Sequence, residues 1–362
     1  MDNIRVNLGK HVDDSYDIVI GKGIYGEVIR GLKNLNLERI AIITDSNVKG
    51  LFGEQFHAKL KEQGINSVLI NFPPGEGSKN RHTKAKIEDA LLLSGINKDS
   101  ALISLGGGVT GDITGMLAST YMRGIPYLQL PTTLLAMVDS SIGGKHSINT
   151  EHGKNLIGTY HQPKKVVIDI SVLESLPKEE MLNGIAEMIK HAIISDEKYF
   201  AFLEDYLDRI ISREEDPLIK AIRWSIILKK RIMEQDEVDN PFNRILDFGH
   251  TVGHAIEKAS EYTVRHGTAV AFGMYMETKI AQELGLLNEV ESEKIIRLMK
   301  RAGFRLRGID KKTLLKCLGY EKTKYNKMVK YVLPSKVGKM NIDVGVAEEI
   351  VHNAISDLPF NQ

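Results

Sequence analysis

Cysteine is almost missing from this chain: Cys317 is the only one in 362 residues. A single thiol excludes an internal disulfide and a thiolate-rich metal site, and it fits a reducing cytosol with Cys317 as an inert packed side chain. Net charge is equally scarce. Lys and Arg number 48 against 47 Asp and Glu, which leaves no global field to draw in nucleic acid or an anionic membrane. Any anion binding must then come from local clusters. No apolar run is long enough to span a bilayer, and no basic-then-apolar leader is visible, so a cytoplasmic protein is expected. Internal repeats and low-complexity tracts are also missing.

What is present is ordinary globular material, 42% hydrophobic and 26% charged, in a chain long enough for two domains. Ile4–Leu8 and Tyr16–Ile20 alternate as strands. Arg39–Thr44 is a continuous apolar run, the pattern of a strand buried on both faces. Ser67–Ile70, Ala101–Leu105 and Leu128–Leu130 read as further strands, with helices at about 56–63 and 84–94 between them. This alternation predicts an α/β domain with a parallel sheet over residues 1–176. From residue 177 onward the pattern turns helical, defining a second, mostly α-helical domain over 177–362, with a late hairpin around Gly338.

Candidate chemistry concentrates between Leu105 and Pro163. Gly106-Gly107-Gly108-Val109-Thr110-Gly111-Asp112 follows a buried strand and reads as a tight turn into a helix, where backbone N–H groups can approach a phosphate. Asp45 and Asn47 close an earlier strand and suit either a helix cap or a nucleotide hydrogen bond. Thr132 and Thr133 supply hydroxyls just past another strand. Asp139 and Lys145 lie in a glycine-flanked loop between apolar runs, which favours a structured pocket over a surface ion pair. In the second half, Glu187 and Lys190 share a helix face. His250 and His254 lie four apart on another, and His266 follows after a loop. Histidines and a carboxylate on separate helices are the material of a catalytic zinc site, though packed core histidines remain an alternative; the order H-E-x-x-H of a metalloprotease is missing.

With these motifs in hand, the chain closely resembles 3-dehydroquinate synthase and its relatives, the sugar-phosphate cyclases. The match rests on Leu130–Lys145, Gly153-Lys154-Asn155 and Gly249-His250-Thr251-Val252-Gly253-His254, and extends over nearly the whole sequence. It implies a Rossmann-like nucleotide domain, tightly bound NAD, a Zn²⁺ or Co²⁺ ion on Glu187, His250 and His266, and a phosphorylated sugar substrate. It further implies that Asp45, Asn47, Glu76, Lys79, Gly106, Gly107, Gly108, Asp112, Thr132, Thr133, Lys145 and Lys154 serve the cofactor. Asp139, Lys145, Lys154, Asn155, Lys190, Lys229, His254 and Lys324 then serve the substrate, with Lys322 close to Lys324. Arg123 matches an arginine that reaches into a neighbouring subunit, which implies a homodimer. The expected reaction is cyclisation of 3-deoxy-D-arabino-heptulosonate 7-phosphate to 3-dehydroquinate. Departures fall at Asn243 and Asp247, where the family carries an arginine and an asparagine, and at His146 and Thr268. Loss of a bidentate arginine admits a cyclase of a non-carboxylate substrate such as sedoheptulose 7-phosphate as an alternative, and a metal-dependent polyol dehydrogenase as another.

Overall fold

The computed structural model describes residues 13–33, 37–235, 241–306, 309–319 and 328–356. The expected strand at Ile4–Leu8 and the candidate lysines Lys322 and Lys324 lie outside these residues. Strands β1 (Asp17–Gly21), β2 (Ile40–Asp45), β3 (Ser67–Phe72), β4 (Ala101–Gly106), β5 (Tyr127–Pro131) and β8 (Lys165–Asp169) form one sheet in the order β1-β8-β5-β4-β2-β3, with every pairing parallel. Two antiparallel hairpins, β6 (Lys145–Thr150) with β7 (Gly153–Tyr160) and β9 (Val329–Lys336) with β10 (Lys339–Val346), stand apart from it. The first hairpin was not legible in the sequence, where its polar, glycine-bearing strands read as a loop.

The period of two along β2 accounts for the three layers. Ile40 and Ile42 pack with Phe56 and Leu60 of helix Glu54–Glu62 on one face. Ala41 and Ile43 pack with Ile87 and Leu91 of helix Arg81–Leu93, and with Ile113 and Leu117 of helix Gly108–Thr120, on the other. This is a Rossmann-like sheet. The chain leaves β2 for β3 on one side and then places β4 on the opposite side of β2, so the strand order reverses there.

The second half is mostly helical: Lys178–Ser195, Glu197–Ile211, Glu215–Gln235, His250–Ala259, His266–Glu283 and Glu289–Ala302 share one core. That core also takes in Leu134, Met137 and Val138 from the segment after β5, and Val166 and Ile168 from β8. The turn carrying Asp139 is thereby fixed to the helix that carries Glu187. No described helix is long and apolar enough to cross a membrane.

Candidate active site

In open α/β sheets ligands bind outside the carboxyl ends of the strands, where the strand order reverses. Here that place lies between Asp45, which ends β2, and Gly106, which ends β4. Gly107 is the N-cap of helix Gly108–Thr120, and no side chain caps it. A Cβ on Gly106 would sit 2.4 Å from Thr110 Oγ1, so only glycine permits this turn. Gly106, Gly108 and Gly111 also stand in the order G-x-G-x-x-G between a strand and a helix, a pattern on which the nucleotide expectation above, resting on the resemblance and the strand–turn geometry, did not draw. Thr132 N–H donates to Gly106 O at 2.9 Å, and Thr133 Oγ1 accepts from Ala136 N–H at 3.2 Å. Asp45 Oδ1 accepts from the N–H groups of Asn47 and Val48 at 2.9 and 3.0 Å, a helix cap made through one of its two oxygens. Asn47 itself is exposed.

Glu76 and Lys79 do not sit in a freely solvated loop. Lys79 is buried, ion-paired with Asp112, and donates to Asn155 Oδ1 at 2.6 Å. Glu76 Oε1 accepts from Asn149 Nδ2 at 2.7 Å. Together they clamp the β6–β7 hairpin across the glycine helix. His146, in β6, is buried with Nε2 2.6 Å from Tyr127 Oη and Nδ1 3.4 Å from Asp112 Oδ1. Lys145 is exposed at the start of β6, its Nζ 5.8 Å from the centre of the Tyr160 ring. Lys154 Nζ reaches across to Glu257 Oε1 at 3.1 Å and lies 4.2 Å from the Tyr262 ring. Arg123 is exposed in a short turn with φ of 67°.

A cavity of about 430 Å³ opens under this hairpin, walled in part by Asp112, Asp139, Lys145, Asn155, Lys229 and Asn243. Asp139 lies in a helical turn, Ala136–Ser140, and not in a loop. Its carboxylate pairs with Lys229, 2.7 Å from Oδ1. Lys229 also donates to the main-chain oxygen of Asp139 at 2.8 Å. Burial works against ionisation of Asp139, but Lys229 and Lys190 hold it below the usual carboxylate range. Asn243 is buried, Asp247 is exposed, and Arg244 points away from the cavity to pair with Asp343 at 2.5 Å.

Asp139 leads directly to the cluster in the helical half. One ligand atom each from Asp139, Glu187 and His191 lie within 4.8 Å of one another, and so do atoms from Glu187, His250 and His266. Glu187 comes from the middle of helix Lys178–Ser195, while His250 and His266 each open a helix. Glu187 Oε2 is 2.5 Å from Lys190 Nζ. Its Oε1 is buried, makes no hydrogen bond, and lies 3.6 Å from His250 Nε2 and 3.5 Å from His266 Nε2. Burial opposes the charge on Glu187, yet Lys190 and the two imidazoles keep its carboxyl well below its ordinary value. Burial and Lys190 push His250 down to about 3. Burial works the same way on His266, but Glu187 and Glu257 overcome it and raise it to about 9. His254 is exposed, its ring 5.3 Å from that of His250.

Models of the 3-dehydroquinate synthase N-terminal and C-terminal regions match residues 69–183 and 184–324. The chain belongs to the 3-dehydroquinate synthase family. It is 38% identical to 3-dehydroquinate synthase of Thermodesulfovibrio yellowstonii, over 99% of this chain and 100% of that one. It is 40% identical to 3-dehydroquinate synthase of Caldanaerobacter subterraneus subsp. tengcongensis, over 97% and 99%. Among solved structures it is similar to ValA, a 2-epi-5-epi-valiolone synthase from Streptomyces hygroscopicus with NAD⁺ and Zn²⁺ bound. That likeness has a TM-score of 0.87 and 27% identity, and covers 98% of each chain.

For a member of this family, the cluster passes a direct chemical test. A buried carboxylate oxygen with no hydrogen bond, faced by two imidazole Nε2 atoms, suits a divalent cation better than it suits an apolar core. Three further residues belong to the same neighbourhood and went unassigned in the sequence. Glu257 lies three residues after His254 on the same helix face, a spacing that marks it. His191 is fully buried four residues after Glu187, the same kind of signal. Glu277 gave no local signal, since its role depends on a contact with Gly249, 28 residues away.

Proposed function

We propose that this chain is a 3-dehydroquinate synthase that cyclises 3-deoxy-D-arabino-heptulosonate 7-phosphate to 3-dehydroquinate with loss of phosphate. The observation that carries the reading is the Glu187–His250–His266 cluster adjoining the Asp139–Lys229 cavity. The identities of 38% and 40% to synthases of that name, over nearly the full length, support it.

On this reading Glu187, His250 and His266 would hold a Zn²⁺ or Co²⁺ ion, whose Lewis acidity acidifies a hydroxyl and polarises a ketone. NAD, placed at the Gly106–Gly108 turn, supplies the hydride acceptor. The remaining work falls to side chains. Lys229 Nζ, fixed by Asp139, offers a cation to a substrate carboxylate at the end of the cavity walled by Asn243. Lys190 and Asp139 orient hydroxyls beside the metal ligands, with Lys154 and Asn155 contributing from the hairpin. Lys145, exposed in the cavity wall, and His254, exposed beside His250, receive the phosphate, joined by Lys324 and by an Arg123 of a second subunit in a homodimer. We place the boundary between the nucleotide and helical domains at residues 176 and 177, and the protein in the cytoplasm.

A second reading follows from Asn243. Without an arginine in that wall, the cavity also suits a sugar phosphate lacking a carboxylate, such as sedoheptulose 7-phosphate. Turnover assays with both substrates decide. Cyclised product from the keto-acid phosphate supports the first reading, and product from sedoheptulose 7-phosphate alone supports the second. Net NADH accumulation from polyols would instead indicate a dehydrogenase, since a cyclase regenerates its cofactor every turnover.

A further inference from the structure

Glu257 is buried and is not one of the Glu187–His250–His266 ligands, although one atom each from His254, Glu257 and His266 also lie within 4.8 Å of one another. Its Oε2 is 3.5 Å from His266 Nδ1, on the side of the ring opposite the Nε2 that faces Glu187. Its Oε1 is 3.1 Å from Lys154 Nζ, on the β6–β7 hairpin of the sheet half. Its main-chain oxygen accepts from Tyr262 N–H at 2.7 Å, and the Tyr262 ring stacks under Lys154. Glu261 and Tyr262 both take left-handed φ, 51° and 62°, so the short link between the two histidine helices bends back onto this one residue.

An imidazole that binds a cation through Nε2 must carry its proton on Nδ1, and a carboxylate facing Nδ1 fixes both the tautomer and the ring plane. We propose that Glu257 is a positioning residue: it holds His266 with Nε2 turned to Glu187, and through Lys154 it ties that ligand to the hairpin over the cavity. The inference rests on the metal reading of the Glu187–His250–His266 cluster, but not on which sugar phosphate is the substrate. Lys154 accordingly answers to the metal half as well as to the nucleotide half.

The test measures metal binding directly. Wild type, Glu257→Gln and Glu257→Ala are titrated with Zn²⁺ against a competing chelator, and the visible absorption of each is recorded with Co²⁺ bound. Glu257→Ala is expected to bind Zn²⁺ about 10- to 100-fold more weakly, the usual effect of losing such a partner, with shifted Co²⁺ bands. Glu257→Gln keeps an acceptor for Nδ1–H without the charge, and should recover part of that loss. Zinc affinity within twofold of wild type and unchanged Co²⁺ bands in both variants would overturn the proposal, leaving Glu257 as a simple partner of Lys154. If Glu257→Ala does not fold, Glu257→Gln alone decides by the same criteria. A folded wild type that binds no metal would sink the metal reading itself, and this inference with it.

Discussion

Two glycine turns in this molecule have the same spacing and different fates. Gly21, Gly23 and Gly26 stand in the order G-x-G-x-x-G between β1 and helix Tyr25–Lys33, just as Gly106, Gly108 and Gly111 do between β4 and the next helix. At the first turn, the N–H groups of Gly23 and Tyr25 donate to the Asp169 carboxylate at 2.8 and 3.3 Å. That turn holds an anion supplied by the chain itself, and it lies on the edge strand of the sheet. The second turn lies where the strand order reverses, and no side chain caps its helix. The motif alone therefore does not make a nucleotide site. What decides is whether the fold leaves the donors open, and where on the sheet it puts them.

The comparison breaks most directly at Gly106. A Cβ there would meet Thr110 at 2.4–2.9 Å, so Gly106→Ala forces the start of the helix to move. The expected cost is about 1–3 kcal/mol, seen as roughly a 10- to 100-fold loss of NAD affinity by calorimetry. Gly21→Ala meets the Ile24 side chain at 2.7 Å and should lower stability while leaving NAD affinity nearly unchanged. Equal losses of NAD affinity in both variants would remove the distinction between the turns.

Asp169→Ala sharpens it from the other side. The variant orphans the N–H groups of Gly23, Tyr25 and Ser171, which Asp169 now satisfies. Denaturant unfolding should show a loss of roughly 2–3 kcal/mol, with the KM for substrate unaltered. If the emptied turn then binds phosphate or nucleotide, a second site in the binding isotherm will show it, and carboxylate occupancy is what separates the two turns.

The glycine helix carries a further mark of its setting. A Cβ on Gly115 would fall 2.1–2.4 Å from the buried His146 ring. Gly115→Ala should cost about 1–3 kcal/mol in thermal or chemical unfolding. Adding His146→Ala should return part of that loss, because the two changes touch the same space. Additive costs in the double variant would show that the ring does not occupy that space.

Legibility followed the range of the contacts. The buried strands β2 and β4, the change to helix near residue 177 and the pairing of Glu187 with Lys190 were readable because each is written in local periodicity. The gathering of Glu187, His250 and His266 needed the resemblance, since no spacing brings His266 to Glu187. The β6–β7 hairpin was not readable, because its strands are half polar and are held by Lys79, Glu76 and Asn149 from distant segments. The pairing of Asp139 with Lys229, 90 residues away, was hidden for the same reason.

Helix His250–Ala259 repeats the logic of the filled turn in the metal half. The carboxylate of Glu277, fully buried, accepts from Gly249 N–H at 2.6 Å and Val252 N–H at 3.5 Å. Burial raises its pKa well above the ordinary value, and the hydrogen bonds only partly offset this. The sign follows from linkage: a carboxyl whose folded pKa lies above its unfolded value stabilises the fold fully below about pH 4.5. That contribution is lost as pH rises through the folded value. Glu277→Gln keeps an acceptor oxygen for the short Gly249 N–H bond, gives up the long one from Val252, and removes the ionisation. Its melting temperature should therefore exceed that of wild type at pH 8, on the order of a few degrees, and the gap should narrow toward pH 5. A wild-type advantage that grows with pH would mean that the charged form is the stabilising one. The His250 helix would then be held as the Asp169 turn is, by a carboxylate whose charge the N-terminal donors reward.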